Sequence, residues 1–471
     1  MGRRRYRGKP KVLKDLEITA IAPEGKAIAR HEGKVIFVDD AVPGDVADVF
    51  ISRNKKDYAI GRVDVLKTAS PDRIEPFCAH FDLCGGCKWQ YMAYDKQLEY
   101  KQQIVQEAFE RVGKLTFPPL LPILGGEPNQ YYRNKLDYTF TNRRWLSRAQ
   151  INSDEKFERN AVGFHSPGAF DRVIDVTHCY LQAEPSNAIR NEVRRYALEH
   201  GLTFYDVKSK VGFLRNLIIR SSTLDEWMVI LSVGEANDEA LFPLLDHLAE
   251  TFPQITALQY VVNTKRNETL YDLDIITHKG RDHIYETLED LKYKISPKSF
   301  FQTNPYQAVR LYQTVREFAD LQGEETVYDL YTGTGSIGIF LAKHCKKVVG
   351  IEEVEPAIVD AKFNAELNDL DNTAFYAGDV KAMLGQEFVA QNGTPDLLVT
   401  DPPRAGMHPD VVMELLKMQP PRIVYVSCNP VTQARDLQLL SEKYEIKKVQ
   451  PVDMFPHTYH VENVVLLALK D

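Results

Sequence analysis

From about residue 290 onward, short β-branched apolar runs alternate with helix-length segments. That alternation constrains the C-terminal part to a doubly wound, mostly parallel sheet. The runs lie at 326–331, 347–351, 373–376, 396–400 and 422–426, with helices predicted over 337–344 and 356–367. Ligands of such sheets bind beyond the carboxyl ends of the strands. Tyr331, Glu352, Asp379, Asp401 and Cys428 all fall at such ends. A last apolar run, residues 461–469, is expected to close the sheet.

A chain of 471 residues is too long for one ordinary core, so two or three domains are expected. Charge is unevenly spread. The net charge is -8, yet the first 67 residues hold 15 Lys and Arg against 10 Asp and Glu. Arg3, Arg4, Arg5, Arg7, Lys9, Lys11 and Lys14 form a basic arm. Such an arm is either a phosphate contact or a solvated tail. No apolar segment follows the basic start, and no window reaches the ~18 apolar residues of a membrane span. A cytoplasmic protein with reduced thiols is the expectation.

Strand-like runs at 12–18, 34–38, 45–51 and 58–65 alternate with turns such as Pro43-Gly44. They predict a small β-barrel over residues 1–68, either an RNA reader or a structural module. A central α+β domain is expected over 69–289, and the catalytic α/β domain over 290–471. A helix read over 95–113 is expected to pack on the catalytic domain. Ahead of it lie Cys78, Cys84, Gly85-Gly86 and Cys87, with Cys179 farther along. Four thiols suit a [4Fe–4S] cluster or a structural zinc. The spacing of five then two differs from the paired CxxC of zinc ribbons, and the glycines permit a tight wrap, which favours the cluster. Cys345 has no partner at such spacing and reads as core.

Gly333, Gly335 and Gly338 match GxGxxG, a weak signal shared by NAD and S-adenosylmethionine sites. Glu352 can accept from ribose hydroxyls. Together with Asp379 and Asp401 it makes the strand ends acidic, which suits a cationic sulfonium better than a pyrophosphate. Asp401-Pro402-Pro403-Arg404 fixes an extended backbone against which a planar group can lie. Cys428, delivered to a strand end ahead of Asn429-Pro430, is placed as a soft nucleophile. Glu462 matters if the reaction takes a proton from carbon.

These residues resemble a known family, the TRAM-domain RNA (uracil-5-)-methyltransferases, near the branch acting on bacterial 23S ribosomal RNA. The resemblance rests on residues 33–38 and 42–45 of the barrel, 84–90 of the cysteine loop, and 300–304. It rests further on residues 329–335, 401–406, 427–430 and 455–462. It implies three domains: a barrel of the oligonucleotide-binding kind (TRAM), a central iron–sulfur domain and a Rossmann-like S-adenosylmethionine-dependent catalytic domain. It implies that Cys428 adds to uracil C6 and that Glu462 removes the C5 proton. It gives the cofactor to Gln302, Tyr331, Gly333, Gly335, Ser336, Glu352, Asp379 and Asp401, and the [4Fe–4S] cluster to Cys78, Cys84, Cys87 and Cys179. Ser336 and Tyr331 depart from the Asn and Phe of many members. Since the tRNA-specific relatives lack both barrel and cluster, 23S ribosomal RNA is the expected partner. Transfer RNA uracil-5 and RNA cytosine-5 methylation are the neighbouring alternatives. An iron–sulfur, NAD-dependent oxidoreductase is the alternative from another class.

Overall fold

The computed structural model describes residues 11–471. Of the basic arm, Arg3, Arg4, Arg5, Arg7 and Lys9 lie outside the described residues. Lys14 pairs with the buried Asp48 at 2.7 Å.

The N-terminal strands Val12–Ile21, Ala27–His31, Lys34–Asp39, Val46–Asn54 and Tyr58–Thr68 close into a barrel. Alternate residues such as Ile36, Val38, Ala47 and Val49 fill its interior. The second strand escaped the sequence reading because it is only five residues long and sits between two turns.

The central sheet has seven strands. From one edge to the other they are Ile276–Gly280, Ile255–Val262, Trp227–Val233, Leu214–Ser221, Lys135–Thr141, Ala161–His165 and Val173–Asp175. The sheet is mixed. Trp227–Val233 and Ile255–Val262 run parallel, because helix Asp238–Thr251 carries the chain back between them.

The segment predicted as one helix is an α-helix, Tyr94–Glu107, followed by a π-helical turn, Ala108–Gly113. The turn packs on helix Pro430–Leu440 of the catalytic domain. A Cβ on Gly113 would lie 3.0 Å from the Ala434 carbonyl, so that close approach requires glycine.

The C-terminal sheet runs Thr373–Ala377, Lys347–Glu352, Thr326–Leu330, Leu397–Thr400, Arg422–Ser427, Glu462–Leu469, Tyr444–Val452. The first five are parallel, as the strand–helix alternation predicts. The last two form an antiparallel pair, so the sheet is not wholly parallel. Tyr444–Val452 was not read as a strand, since Glu445, Lys447 and Lys448 leave its first half polar and exposed. No helix among the described residues is long and apolar enough to cross a membrane.

Candidate active site

The strand Thr326–Leu330 ends at Tyr331, whose φ of 63° is a left-handed conformation that costs a non-glycine residue energy. The chain then turns through Gly333 and Gly335 into helix Ser336–Ala342. The N–H groups of all three motif glycines are used internally. Gly333 donates to Glu352 Oε2 at 3.1 Å, Gly335 to the Thr332 carbonyl at 2.9 Å, and Gly338 to Asp329 Oδ2 at 2.9 Å. Two of those acceptors are carboxylates. A pyrophosphate needs free N–H donors and repels carboxylates, so the turn is built for a neutral or cationic ligand.

Around this turn the structure gathers the acidic strand ends. Glu352 also accepts from Val354 N–H at 3.0 Å. Asp379 caps the short helix Val380–Met383 through Lys381 N–H at 2.8 Å. Burial, with Asp379, Asp436 and Glu352 nearby, pushes the Tyr331 phenol up to about 12. Ser336 Oγ accepts from Tyr312 OH at 3.0 Å, which holds the turn against helix Pro305–Ala319. Gln302 is buried beside that helix's N-terminus, its carbonyl bonded by Asn134 of the central domain. Asp329, fully buried beneath the turn, is held up at about 7 chiefly by burial. It heads the 329–335 stretch but is not among the site residues expected from the sequence.

Cys428 follows strand Arg422–Ser427, and Glu462 begins strand Glu462–Leu469. The antiparallel register pairs Ser427 with Asn463, so Cys428 and Glu462 are the next residues to meet across the two strands. Asp401 joins them from the end of Leu397–Thr400. Neither the Asp401 nor the Glu462 carboxylate accepts a hydrogen bond among the described residues. Burial, then the neighbouring Asp401, raises Glu462 to about 8. Burial, then Asp329, raises Asp401 to about 7. Burial, then Glu462 and Asp401, pushes the Cys428 thiol up to about 12, and Arg404 is the charge that opposes them. The Arg404 carbonyl is tied by Asn429 Nδ2 at 3.1 Å and Thr432 Oγ1 at 3.2 Å. The Pro-Pro-Arg loop is thereby fixed to the helix that follows Cys428.

The segment leading into Glu462 is braced by the other domains. Lys101, fully buried, pairs with the equally buried Asp453 at 2.5 Å, and Tyr94 OH donates to the same carboxylate at 2.7 Å. The His457 carbonyl accepts from Lys88 N–H at 2.8 Å and Trp89 N–H at 3.0 Å. Gln97 bonds the His457 backbone N–H at 2.9 Å. The Gly25 backbone of the barrel packs so closely on Tyr459 that a Cβ there would lie 2.5 Å from the Tyr459 side chain. Sequence reasoning missed this brace entirely. A buried lysine and an aspartate some 350 positions apart carry no local signal.

Cys78, Cys84, Cys87 and Cys179 line one cavity of about 440 Å³ between the cysteine loop and the central sheet. Gly85 N–H donates to the His165 carbonyl at 3.0 Å, and a Cβ on Gly85 would lie 2.8 Å from that oxygen. Gly86 N–H points at Cys84 Sγ at 3.4 Å. Burial pushes Cys84 up to about 11 and Cys87 to about 12. Among the described residues no three His, Cys, Asp or Glu are grouped to hold a metal ion. The expected metal centre is not shown: the four thiols line one shared cavity without forming a coordination shell. The chemistry of a four-thiol donor set suits either a [4Fe–4S] cluster or a zinc ion. Cys345 is buried and bonded to the Ala342 carbonyl, as a core thiol.

The chain matches the tRNA (uracil-5-)-methyltransferase family over residues 273–470 and the TRAM domain over residues 13–63. It is 54% identical to a protein of Bacteroides thetaiotaomicron described as an uncharacterized RNA methyltransferase, over 96% of this chain and 100% of that one. A protein of Porphyromonas gingivalis with the same description is 48% identical over 96% of this chain and 99% of that one. Among solved structures, the Pyrococcus abyssi tRNA (uracil-54, C5)-methyltransferase in complex with S-adenosyl-L-homocysteine is similar with a TM-score of 0.74. That pair is 28% identical and covers 96% of this chain and 99% of the other.

Proposed function

Given that the chain belongs to the TRAM-domain RNA methyltransferases with a uracil-5-methyltransferase catalytic region, we propose that it methylates C5 of a uracil in 23S ribosomal RNA. The methyl donor is S-adenosylmethionine, the nucleophile Cys428 and the base Glu462. What supports this reading is the Ser427–Asn463 rung, one step from Cys428 and Glu462, beside an acidic glycine turn.

Uracil C5 is a poor nucleophile until C6 is attacked. Cys428 releases its thiol proton to solvent and forms the S–C6 bond, and the C5–C6 π electrons move onto C5 and the C4 oxygen, which makes C5 enolate-like. Bound S-adenosylmethionine supplies the methyl group that C5 takes. Glu462 then removes the C5 proton, the C6–S bond breaks, and the Cys428 thiolate is regenerated. Gln302, Tyr331, Gly333, Gly335, Ser336, Glu352, Asp379 and Asp401 hold the cofactor in this reading. Its sulfonium charge suits the carboxylates gathered there. The target base must leave its stack, at a cost of a few kcal/mol, and the barrel and central domain supply the backbone contacts that offset it.

In the same reading Cys78, Cys84, Cys87 and Cys179 would hold a [4Fe–4S] cluster; burial raises the Cys84, Cys87 and Cys179 thiols, and bound iron would favour their thiolates. Iron and zinc analysis of anaerobically purified protein tests it. About four irons per chain is the expected result; stoichiometric zinc without iron overturns it.

The ribosomal RNA reading comes from the sequence resemblance alone, because a tRNA (uracil-54, C5)-methyltransferase is similar over 96% of this chain, so the barrel does not separate the two substrates. The fold shared with a tRNA enzyme makes tRNA the second substrate to try. The test is covalent trapping. Protein and S-adenosylmethionine are mixed with 5-fluorouracil-substituted ribosomal RNA and tRNA transcripts and run on a denaturing gel beside Cys428→Ala. Fluorine cannot leave as a proton does, so the thioether adduct persists. A shifted band on ribosomal RNA, lost in the variant, is expected. A band on tRNA alone overturns the substrate, and no band on either overturns the covalent chemistry.

A further inference from the structure

Gln433 lies fully buried on helix Pro430–Leu440, between the two strands that carry Cys428 and Glu462. Its Nε2 donates to the Tyr425 carbonyl of one strand at 3.0 Å and to the Asn463 carbonyl of the other at 3.2 Å. Its Oε1 accepts from Asn463 Nδ2 at 2.8 Å. Asn463 is itself fully buried and adjoins Glu462, and its Oδ1 has no partner. The Asn463 side chain therefore has Gln433 as its hydrogen-bonding anchor among the described residues.

The location matters because the ladder ends here. Ser427 and Asn463 form the last paired rung, after which one chain leaves through Asn429-Pro430 and the other arrives from the turn around His457. Glu462 stays paired with Val452 on its other side, but no rung of the ladder holds Cys428 against it. The Gln433 amide bonds Asn463 at this rung and Tyr425 two residues farther in, so it ties the two strands together from the helix side.

We propose that Gln433, oriented by Asn463, is a positioning residue that sets the distance and alignment between Cys428 and Glu462. The proposal rests on the reading of those two residues as nucleophile and base. The two act on adjacent ring carbons of one uracil, so a shift between the strands leaves thiol addition possible while taking the carboxylate off the C5 proton. A misplacement of about 1 Å at a reacting group costs about 10²-fold. The step that suffers is adduct breakdown.

The test compares the full-length wild type with Gln433→Met, which keeps the volume and removes all three hydrogen bonds. Gln433→Glu, which keeps size and acceptor, is the second variant. Rapid-quench measurements on ordinary uracil RNA follow adduct formation and breakdown separately, beside the melting temperature and cofactor affinity. The expected result is a kcat lower by about 10- to 100-fold with KM for cofactor and RNA within about twofold. A methylated Cys428–RNA adduct should accumulate that the wild type does not show. A variant whose formation and breakdown rates fall together, or do not change, overturns the positioning role. If Gln433→Met does not fold, the same readout on Gln433→Glu decides it. Failure of the wild type to form any adduct with 5-fluorouracil RNA refutes the underlying chemistry. A normal wild-type adduct with unaltered partitioning in both variants refutes Gln433 alone.

Discussion

Cys428 and Glu462 lie one step beyond the Ser427–Asn463 rung that ends an antiparallel ladder, and Glu462 is close enough to raise the Cys428 thiol. That proximity fits two groups working on neighbouring atoms of one ring. Glu462→Gln keeps the shape and removes the base. The methylated RNA should then remain bound to Cys428 on unmodified uracil, and turnover should fall by about 10² to 10⁴. A denaturing gel with radiolabelled cofactor reads both. Free methylated RNA released at the wild-type rate would dismiss Glu462 as the base.

The pH dependence follows from the same carboxylate. Glu462 is raised to about 8 by burial and by Asp401, so below that pH most of the base is protonated. Adduct breakdown, which does not involve the thiol proton, should accelerate with pH through a midpoint near 8. Asp401→Asn removes the like charge and should move that midpoint lower, whatever it does to the overall rate. A midpoint that stays put would assign the titration to another group.

Stability carries the opposite sign. In the unfolded chain Glu462 ionises at its ordinary 4.5, whereas in the folded protein it holds its proton to about 8. Between these values the folded state binds more protons, so stability is fully present below about 4.5 and declines as pH rises towards 8. Glu462→Gln should be more stable than wild type at pH 8, by about 1–3 kcal/mol, with the difference vanishing near pH 4.5. Urea denaturation at the two pH values measures it.

Much of this site was legible because it hangs on local signals. Alternating apolar runs place the strand ends, and glycines, Pro-Pro and Asn-Pro mark where the chain turns. Tyr331, Asp379, Asp401 and Cys428 come just after strands of the parallel series and Glu352 ends one, as expected. The antiparallel strand Tyr444–Val452 was not legible, because half of it is polar and it is held by its neighbour, not by its own pattern. Lys101, Asp453, Gln433 and Asn463 were invisible for a different reason. Their roles come from contacts between distant segments, which composition and spacing do not record.

The glycine turn offers a paired comparison. Gly333 and Gly335 both have positive φ, 57° and 80°. A Cβ on Gly333 meets nothing within 4 Å, while one on Gly335 lies 3.0–3.1 Å from Ile339, Ala361 and Phe375. Gly333→Ala should cost only the backbone term, about 1 kcal/mol. Gly335→Ala adds crowding of three buried side chains and should cost about 1–3 kcal/mol more, with weaker cofactor binding. Thermal unfolding and calorimetric titration with S-adenosylhomocysteine separate the two. Equal effects would mean that φ alone governs the turn.

The buried Lys101–Asp453 pair joins helix Tyr94–Glu107 to the segment that delivers Glu462. Lys101 also donates to the Phe455 carbonyl at 3.0 Å, so its ammonium has two acceptors in a site without water access. Burial works against the charged lysine, and Asp453 is the group that favours it. Lys101→Met leaves the Asp453 carboxylate buried with only Tyr94 OH and Phe455 N–H as donors. Removing one partner of a buried pair costs about 3–5 kcal/mol, so the variant should unfold at markedly lower denaturant. The double variant Lys101→Met/Asp453→Leu removes the stranded charge and should regain much of that stability. Its turnover should stay low, because the segment around His457 and Glu462 has lost its anchor to the helix. Recovery of stability and turnover together would show that the pair serves the fold and not the placement of Glu462.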